Sequence, residues 1–270
     1  MKQLLVRGLR KKFPVRYDWL GRPCRFVDAV ADVNLEISGG ETLALVGESG
    51  SGKSTVARLI LQLIRPDAGS VELDGKRLTA LHGEELRRMR RRLQIIFQDP
   101  YSSLDPSLSI REILSEPFRV HHFQSVVPRR LEKLLDDVGL PGGFLTRMPH
   151  ELSGGQRQRV AIARSLAVGP EFIACDEIVS ALDVSTRAQI LNLLKMLQAE
   201  RGISMLFITH DLAIVPFIAH RVAVIYLGRI IEQGTVDEVF SRPQHTYTKR
   251  LLAAVPVPDP AARIFDSLEC

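Results

Sequence analysis

The chain has 270 residues, 45% apolar and 25% charged, with a net charge of +5. That content supports a sizeable core and excludes a disordered chain. The basic balance favours anionic partners, but the strongest basic run, Arg87-Arg88-Met89-Arg90-Arg91-Arg92, has no interleaved aromatics. It therefore reads as a solvated helix face and not as a nucleic-acid surface.

Cys24, Cys175 and Cys270 stand far apart without metal-ligand spacing, as suits a reducing compartment. The first residues lack the apolar core of a secretory signal. No uncharged apolar stretch reaches the roughly 18–20 residues that span a bilayer. A cytoplasmic chain is expected, with other chains forming any membrane pathway.

In chain order, residues 1–37 read as short strands with a hairpin-like excursion at Gly21-Arg22-Pro23. Thr42 to Val46 is an apolar run of strand length, followed by a glycine-rich loop. Thr55 to Ile64 has helical apolar spacing and ends at the breakers Pro66 and Gly69. Val71–Leu73 and Leu93–Phe97 read as strands. Residues 101–155 are charged, helical and punctuated by prolines, and read as a separate helical lobe. The α/β pattern then resumes. Phe172–Cys175 and Ser204–Ile208 are continuous apolar runs of the kind buried on both faces of a parallel sheet, separated by a helix near Arg187–Glu200. Val222–Tyr226 and Arg229–Glu232 suggest a closing hairpin through Leu227-Gly228.

Gly47-Glu48-Ser49-Gly50-Ser51-Gly52-Lys53-Ser54-Thr55 follows a strand and opens a helix. In that context glycines let backbone N–H groups converge on phosphates, and the helix N-terminus adds positive charge. Lys53 is expected at the β/γ-phosphates and the Ser54 hydroxyl on Mg²⁺. The strand Phe172–Cys175 delivers Asp176 and Glu177 to its carboxyl end, where open α/β sheets bind ligands. Asp176 is expected to hold Mg²⁺ through water, and Glu177 to orient and polarise the attacking water. Leu152-Ser153-Gly154-Gly155-Gln156 precedes a second helix and makes a second helix-terminal anion cradle.

With Leu152–Gln156 downstream of Gly47–Ser54, the chain resembles the ATP-binding subunit of an ABC transporter over essentially its whole length. The resemblance implies an α/β P-loop NTPase core with a parallel sheet, an N-terminal antiparallel β-subdomain and an inserted helical subdomain. It implies a core in two parts (1–100 and 156–242), the insert at 101–155 and an extension at 243–270. It implies an ATPase with ATP and Mg²⁺, in which Ser153, Gly154, Gly155 and Gln156 cover the γ-phosphate of ATP on the opposite subunit. By the same resemblance Gln98 senses Mg²⁺ and the attacking water, His210 contacts the γ-phosphate, and Asp183 lies in the loop coupling two ATP sites. Phe13 is the candidate adenine partner, with Tyr17 and Trp19 as alternatives. Family members often carry proline where this chain has Ile178, which leaves the placement of Glu177 looser.

Two stretches, Gln98–Pro106 and Pro243–Leu252, resemble the di/oligopeptide and nickel importer branch. They imply two membrane-spanning permease subunits, a second ATPase (a heterodimer favoured over a homodimer), a solute-binding protein acting indirectly, and a peripheral position on the cytoplasmic face of the cell membrane. No nucleic acid is expected. An ABC ATPase acting on ribosomes or DNA is the alternative class. With Cys270 as the only cysteine in the tail, no iron–sulfur cluster is expected there. Because 243–252 follows every phosphate-contacting motif, a chain ending near Arg242 is expected to retain ATP binding.

Overall fold

The computed structural model describes residues 3–99, 103–123 and 128–254. Pro100, Tyr101, Ser102 and Cys270, on which parts of the sequence reading fall, lie outside the described residues. Two long strands, β1 (Gln3–Tyr17) and β2 (Pro23–Ser38), open the fold as an antiparallel pair. The expectation of several short strands is corrected here. Register shifts between Val6 and Leu9 and again toward Tyr17 bend the ribbon without ending it.

β3 (Thr42–Val46) leads into the glycine loop and α1 (Lys53–Ile60). β4 (Ala68–Leu73) and β5 (Lys76–Arg77) extend the antiparallel edge, and α2 (Gly83–Arg92) returns the chain to β6 (Leu93–Ile96). The helical segment holds α3 (Ile110–Val120) and α4 (Pro128–Asp136), followed by α5 (Gly154–Leu166). β7 (Phe172–Asp176), α6 (Val184–Arg201), β8 (Ser204–Thr209), α7 (Val215–Ile218), β9 (Arg221–Tyr226), β10 (Arg229–Thr235), α8 (Val236–Ser241) and α9 (Thr246–Ala253) complete it. Among the described residues the strands form one sheet in the order β5-β4-β1-β2-β10-β9-β3-β8-β7-β6. β6, β7, β8, β3 and β9 run parallel. β9–β10 is the closing hairpin. This is an α/β P-loop NTPase fold carrying antiparallel strands at its N-terminal side.

The apolar runs separate into two faces. Phe172, Ala174, Leu206 and Ile208 pack with α1 and the β1–β2 core, whereas Ile173, Cys175, Met205 and Phe207 pack with α5 and α6. Burying both faces removes the alternation of polar residues that marks a half-exposed strand. The cluster on the second face runs without interruption into Ile110, Leu114, Phe118 and Leu135, so the inserted helices share the core of the sheet.

Two local expectations change. α1 ends at Ile60, not Ile64, because Gln62 takes a left-handed backbone (φ 53°) and its carbonyl accepts from Arg90 on α2. The basic run is not a uniformly solvated face. Arg87 and Arg88 pair with Glu84 on the surface. Arg91 donates to the Val168 carbonyl, and Arg92 pairs with Asp74 and with Glu171. The run therefore ties the edge strand β6 to distant segments. These partners lie up to 79 residues away and leave no periodic trace.

Candidate functional site

The carboxyl ends of β3, β7 and β8, and the residues just beyond β6, meet on one side of the sheet. A cleft of about 320 Å³ opens there, lined by Ala29, Ser49, Gly50, Gly52, Lys53, Ser54, Thr55, Gln98 and Glu177. The loop needs glycine at position 52. Its φ is 105°, and a Cβ there would sit 2.3 Å from the Ala29 carbonyl oxygen. Gly228, in the β9–β10 turn, donates its N–H to the Ser51 carbonyl at 3.1 Å and so fixes the loop from behind.

Lys53 is buried, and its ammonium donates to the carbonyls of Gly47 and Glu48, each at 2.8 Å. It lies 3.8 Å from Glu177 Oε1. Burial holds its pKa below the usual lysine range, against the opposing pull of Glu177 and Asp176. Ser54 Oγ donates to Asp176 Oδ1 at 2.8 Å. Burial raises the Asp176 carboxyl, and the Ser54 hydrogen bond opposes that rise. Ser51 Oγ is buried without a hydrogen-bond partner. A desolvated ammonium, a desolvated carboxylate and an orphaned hydroxyl together suit an anion bearing a cation. Among the described residues no group of three or more His, Cys, Asp or Glu is arranged to hold a metal.

Glu177 has a left-handed backbone, φ 50°, which is costly for a side chain of this kind and turns its carboxylate back toward the loop. The turn is held from both sides. Glu177 N–H donates to the Ile208 carbonyl at 3.0 Å, and its own carbonyl accepts from Ser180 N–H and Oγ. Ile178 is 2% exposed and packs in the core. Glu177 is therefore anchored beside a buried Ile178, and not loosely placed as expected. Gln98 Nε2 donates to Glu177 Oε2 at 3.2 Å, and His210 Nδ1 lies 3.1 Å from the same oxygen. A carboxylate only accepts, so His210 Nδ1 carries the proton.

Ser153 caps α5. Its hydroxyl accepts from Gln156 N–H at 3.3 Å, and Gln156 Oε1 returns to Ser153 N–H at 3.0 Å. Gly155 faces α6, where an added Cβ would meet Thr186 Cγ2 at 2.4 Å. Ser153, Gly154, Gly155 and Gln156 do not line the cleft of their own chain. Asp183 caps α6, accepting from Thr186 N–H at 2.9 Å and Ser185 Oγ at 2.7 Å. Those bonds hold its carboxyl well below the usual range. Asp183 also lies apart from the cleft lining.

Phe13 pairs with Val27 in the β1–β2 ribbon, close to Ala29 on the cleft lip, and is 38% exposed. Tyr17 pairs with Pro23 and Trp19 lies in the turn beyond, at the far end of the ribbon. Phe13 is thus the aromatic nearest the lip of the three. Cys175 is fully buried and burial pushes its thiol up to about 12, so it is packing and not chemistry.

Two contributors, Ala29 and Arg187, and one contact, that of Tyr247, were not expected from the sequence. Ala29 shapes the lip. Arg187 pairs with Asp211 at 2.8 Å, tying α6 to the turn after His210. Tyr247, in α9, accepts from the Glu48 backbone N–H at 3.1 Å. The segment 243–252 thus comes back within hydrogen-bond reach of the glycine loop, although 199 residues separate Tyr247 from Glu48. None of the three has a spacing signal, because each acts through a long-range contact.

Residues 30–180 match the family model described as ABC transporter, and residues 231–269 match that for the oligopeptide/dipeptide transporter C-terminal region. The chain is 51% identical to a probable peptide ABC transporter ATP-binding protein of Sinorhizobium fredii, over 98% of this chain and 76% of that protein. It is also 51% identical to the glutathione import ATP-binding protein GsiA of Pectobacterium atrosepticum, covering 96% of this chain but 42% of that protein. A solved dimeric ATP-binding cassette in a post-hydrolysis state, bound to ADP and Pi, superposes with a TM-score of 0.74 at 31% identity, covering 86% of this chain and 98% of that one. With the fold, the cleft and these likenesses in agreement, the chain belongs to the ABC transporter family, as an ATP-hydrolysing ATP-binding subunit.

Proposed function

We propose that this chain energises an importer of peptides, small peptides of the glutathione class included. The observation that carries the proposal is the match of residues 231–269 to the oligopeptide/dipeptide transporter C-terminal region, in a chain whose relatives import peptides or glutathione. The relatives described give no support to nickel as cargo or to ribosomes or DNA as the target.

In the proposed mechanism Lys53 meets the β/γ-phosphates of ATP. Ser54, Asp176 and Gln98 would hold Mg²⁺, which would neutralise charge on the phosphate oxygens. Phe13 receives the adenine. Glu177 orients and polarises the attacking water, and His210 and Gln98 hold the Glu177 carboxylate toward it. Ser153 to Gln156 serve a second ATPase subunit. Their absence from the cleft of their own chain and the dimeric state of the solved cassette support that reading. Asp183 lies where the two subunits exchange signals. A heterodimer is favoured, docked on two permease subunits at the cytoplasmic face of the membrane. No helix among the described residues is long and apolar enough to cross a membrane, which leaves the pathway to those subunits.

The test is uptake in cells lacking the chain and complemented with wild type or Ser153→Arg. Wild type restores uptake of labelled di- and tripeptides. Ser153→Arg binds ATP as a free subunit but forms no ATP-dependent dimer and restores nothing. Unchanged peptide uptake on deletion removes the peptide assignment. Loss of monomer ATP binding in Ser153→Arg removes the shared site.

A further inference from the structure

The C-terminal helix α9 is fastened to the core at two places. Glu232 on β10 accepts from the backbone N–H groups of Gln244 at 2.7 Å and His245 at 3.0 Å. His245 Nδ1 in turn accepts from Tyr247 N–H at 3.1 Å, which caps the helix. Leu251 and Leu252 pack against the cluster of Val46, Val222 and Val224 beneath the phosphate loop.

This docking buries Tyr247 to 8% exposure. Its ring lies against that of Tyr226, tilted by 40° with centroids 4.3 Å apart. Its hydroxyl accepts from the Glu48 N–H at 3.1 Å. That N–H and the Gly47 carbonyl belong to one planar peptide unit. The Gly47 carbonyl accepts from Lys53 Nζ at 2.8 Å. One peptide plane is therefore held along one edge by Tyr247 and along the other by Lys53. Rotating it would leave a partly buried N–H unpaired and move the lysine anchor.

We infer that Tyr247 is a positioning residue for ATP binding: it fixes the Gly47–Glu48 peptide plane and, through it, Lys53, with Glu232 holding the helix that presents it. The C-terminal region then acts inside the ATP site of its own chain as well as in importer assembly. The inference rests on the reading of Gly47–Thr55 as the ATP phosphate loop.

Tyr247→Phe keeps the ring and its contact with Tyr226 and removes only the acceptor. The full chain with this change should stay folded, with Tm lowered by no more than the loss of one hydrogen bond, and should bind ATP about three- to ten-fold more weakly, because the freed loop peptide must be re-ordered as ATP binds. Its KM for ATP should rise by a similar factor, with kcat at saturating ATP within about two-fold. Val138→Ala is the control. Val138 is buried among the inserted helices, away from α9 and the cleft, so the change should lower Tm while leaving ATP affinity near wild type. Glu232→Gln should weaken ATP binding in the direction of Tyr247→Phe, and the double variant should fall short of the sum. Independently of any variant, the Glu48 amide of the nucleotide-free wild type should exchange with solvent more slowly than that of Ser49. Wild-type ATP affinity in Tyr247→Phe overturns the inference. So does an equal loss in Val138→Ala, or an unprotected Glu48 amide. A wild-type chain that fails to bind ATP overturns the phosphate-loop reading itself, and the inference with it.

Discussion

Glu177 Oε2 accepts from His210 Nδ1 across 3.1 Å, although 33 residues separate the two. Gln98 reaches the same oxygen, and Lys53 approaches the other at 3.8 Å. Three residues, from just beyond β6, the end of β8 and the start of α1, thus converge on the one carboxylate that β7 delivers. Its left-handed backbone is fixed by Ile208 and Ser180.

Glu177→Gln keeps the shape but removes the charge that polarises water. It also turns an amide toward donors. ATP binding should persist, while steady-state phosphate release should fall by about 10²-fold or more, the range of positioned acid–base groups. Release within a few-fold of wild type would take Glu177 out of the catalytic role.

Asp176 carries a linked prediction on stability. Its carboxyl is raised above the ordinary 3.8 by burial. A group raised in the folded state contributes stability that is fully present below its unfolded value and lost as pH rises through its folded value. At neutral pH the ionised, desolvated carboxylate is a burden on the nucleotide-free chain. Asp176→Asn retains the acceptor for Ser54 and sheds the charge. It should raise the nucleotide-free Tm by a few degrees, about 2–4 °C per kcal/mol for a chain of this size, and abolish Mg²⁺-dependent hydrolysis. The gain should vanish below pH ~3.8, where both forms are neutral. Melting curves across pH decide this; an Asp176→Asn chain less stable than wild type at pH 7 would reverse the sign.

Gly155 and Thr186 make the third test. An alanine at 155 would place its Cβ 2.4 Å from Thr186 Cγ2. Gly155→Ala should cost about 1–3 kcal/mol, as overpacking does. Adding Thr186→Ser deletes the offending methyl and keeps the hydroxyl beside Asp183, so it should restore most of the loss. Denaturant unfolding of the four chains measures the coupling. Additive losses would mean that the two side chains do not meet.

How much was readable beforehand can be judged residue by residue. Gly47–Thr55 and Leu152–Gln156 are local patterns. Their backbone demands, positive φ at Gly52 and a capped helix start at Ser153, are met within a few residues of chain and so are written contiguously. The apolar runs of β3, β7 and β8 likewise announce a parallel sheet, because each strand is buried along its whole length. By contrast, the end of α1 depended on Arg90, and the anchoring of Glu177 on Ile208 and Ser180.

By itself, then, the sequence determined the glycine-rich loop, the capped helix start at Ser153, the acidic pair Asp176-Glu177 and the α/β class, since helix starts, glycine turns and buried strands are short-range demands on the chain. Tertiary structure alone decided which groups meet. Gln98, His210 and Lys53 converge on Glu177, Arg92 joins Asp74 to Glu171, and Tyr247 reaches back 199 residues to Glu48. Such contacts depend on strand order and on how helices dock across the sheet, and a hydrogen bond between distant residues imposes no spacing on the chain that carries them.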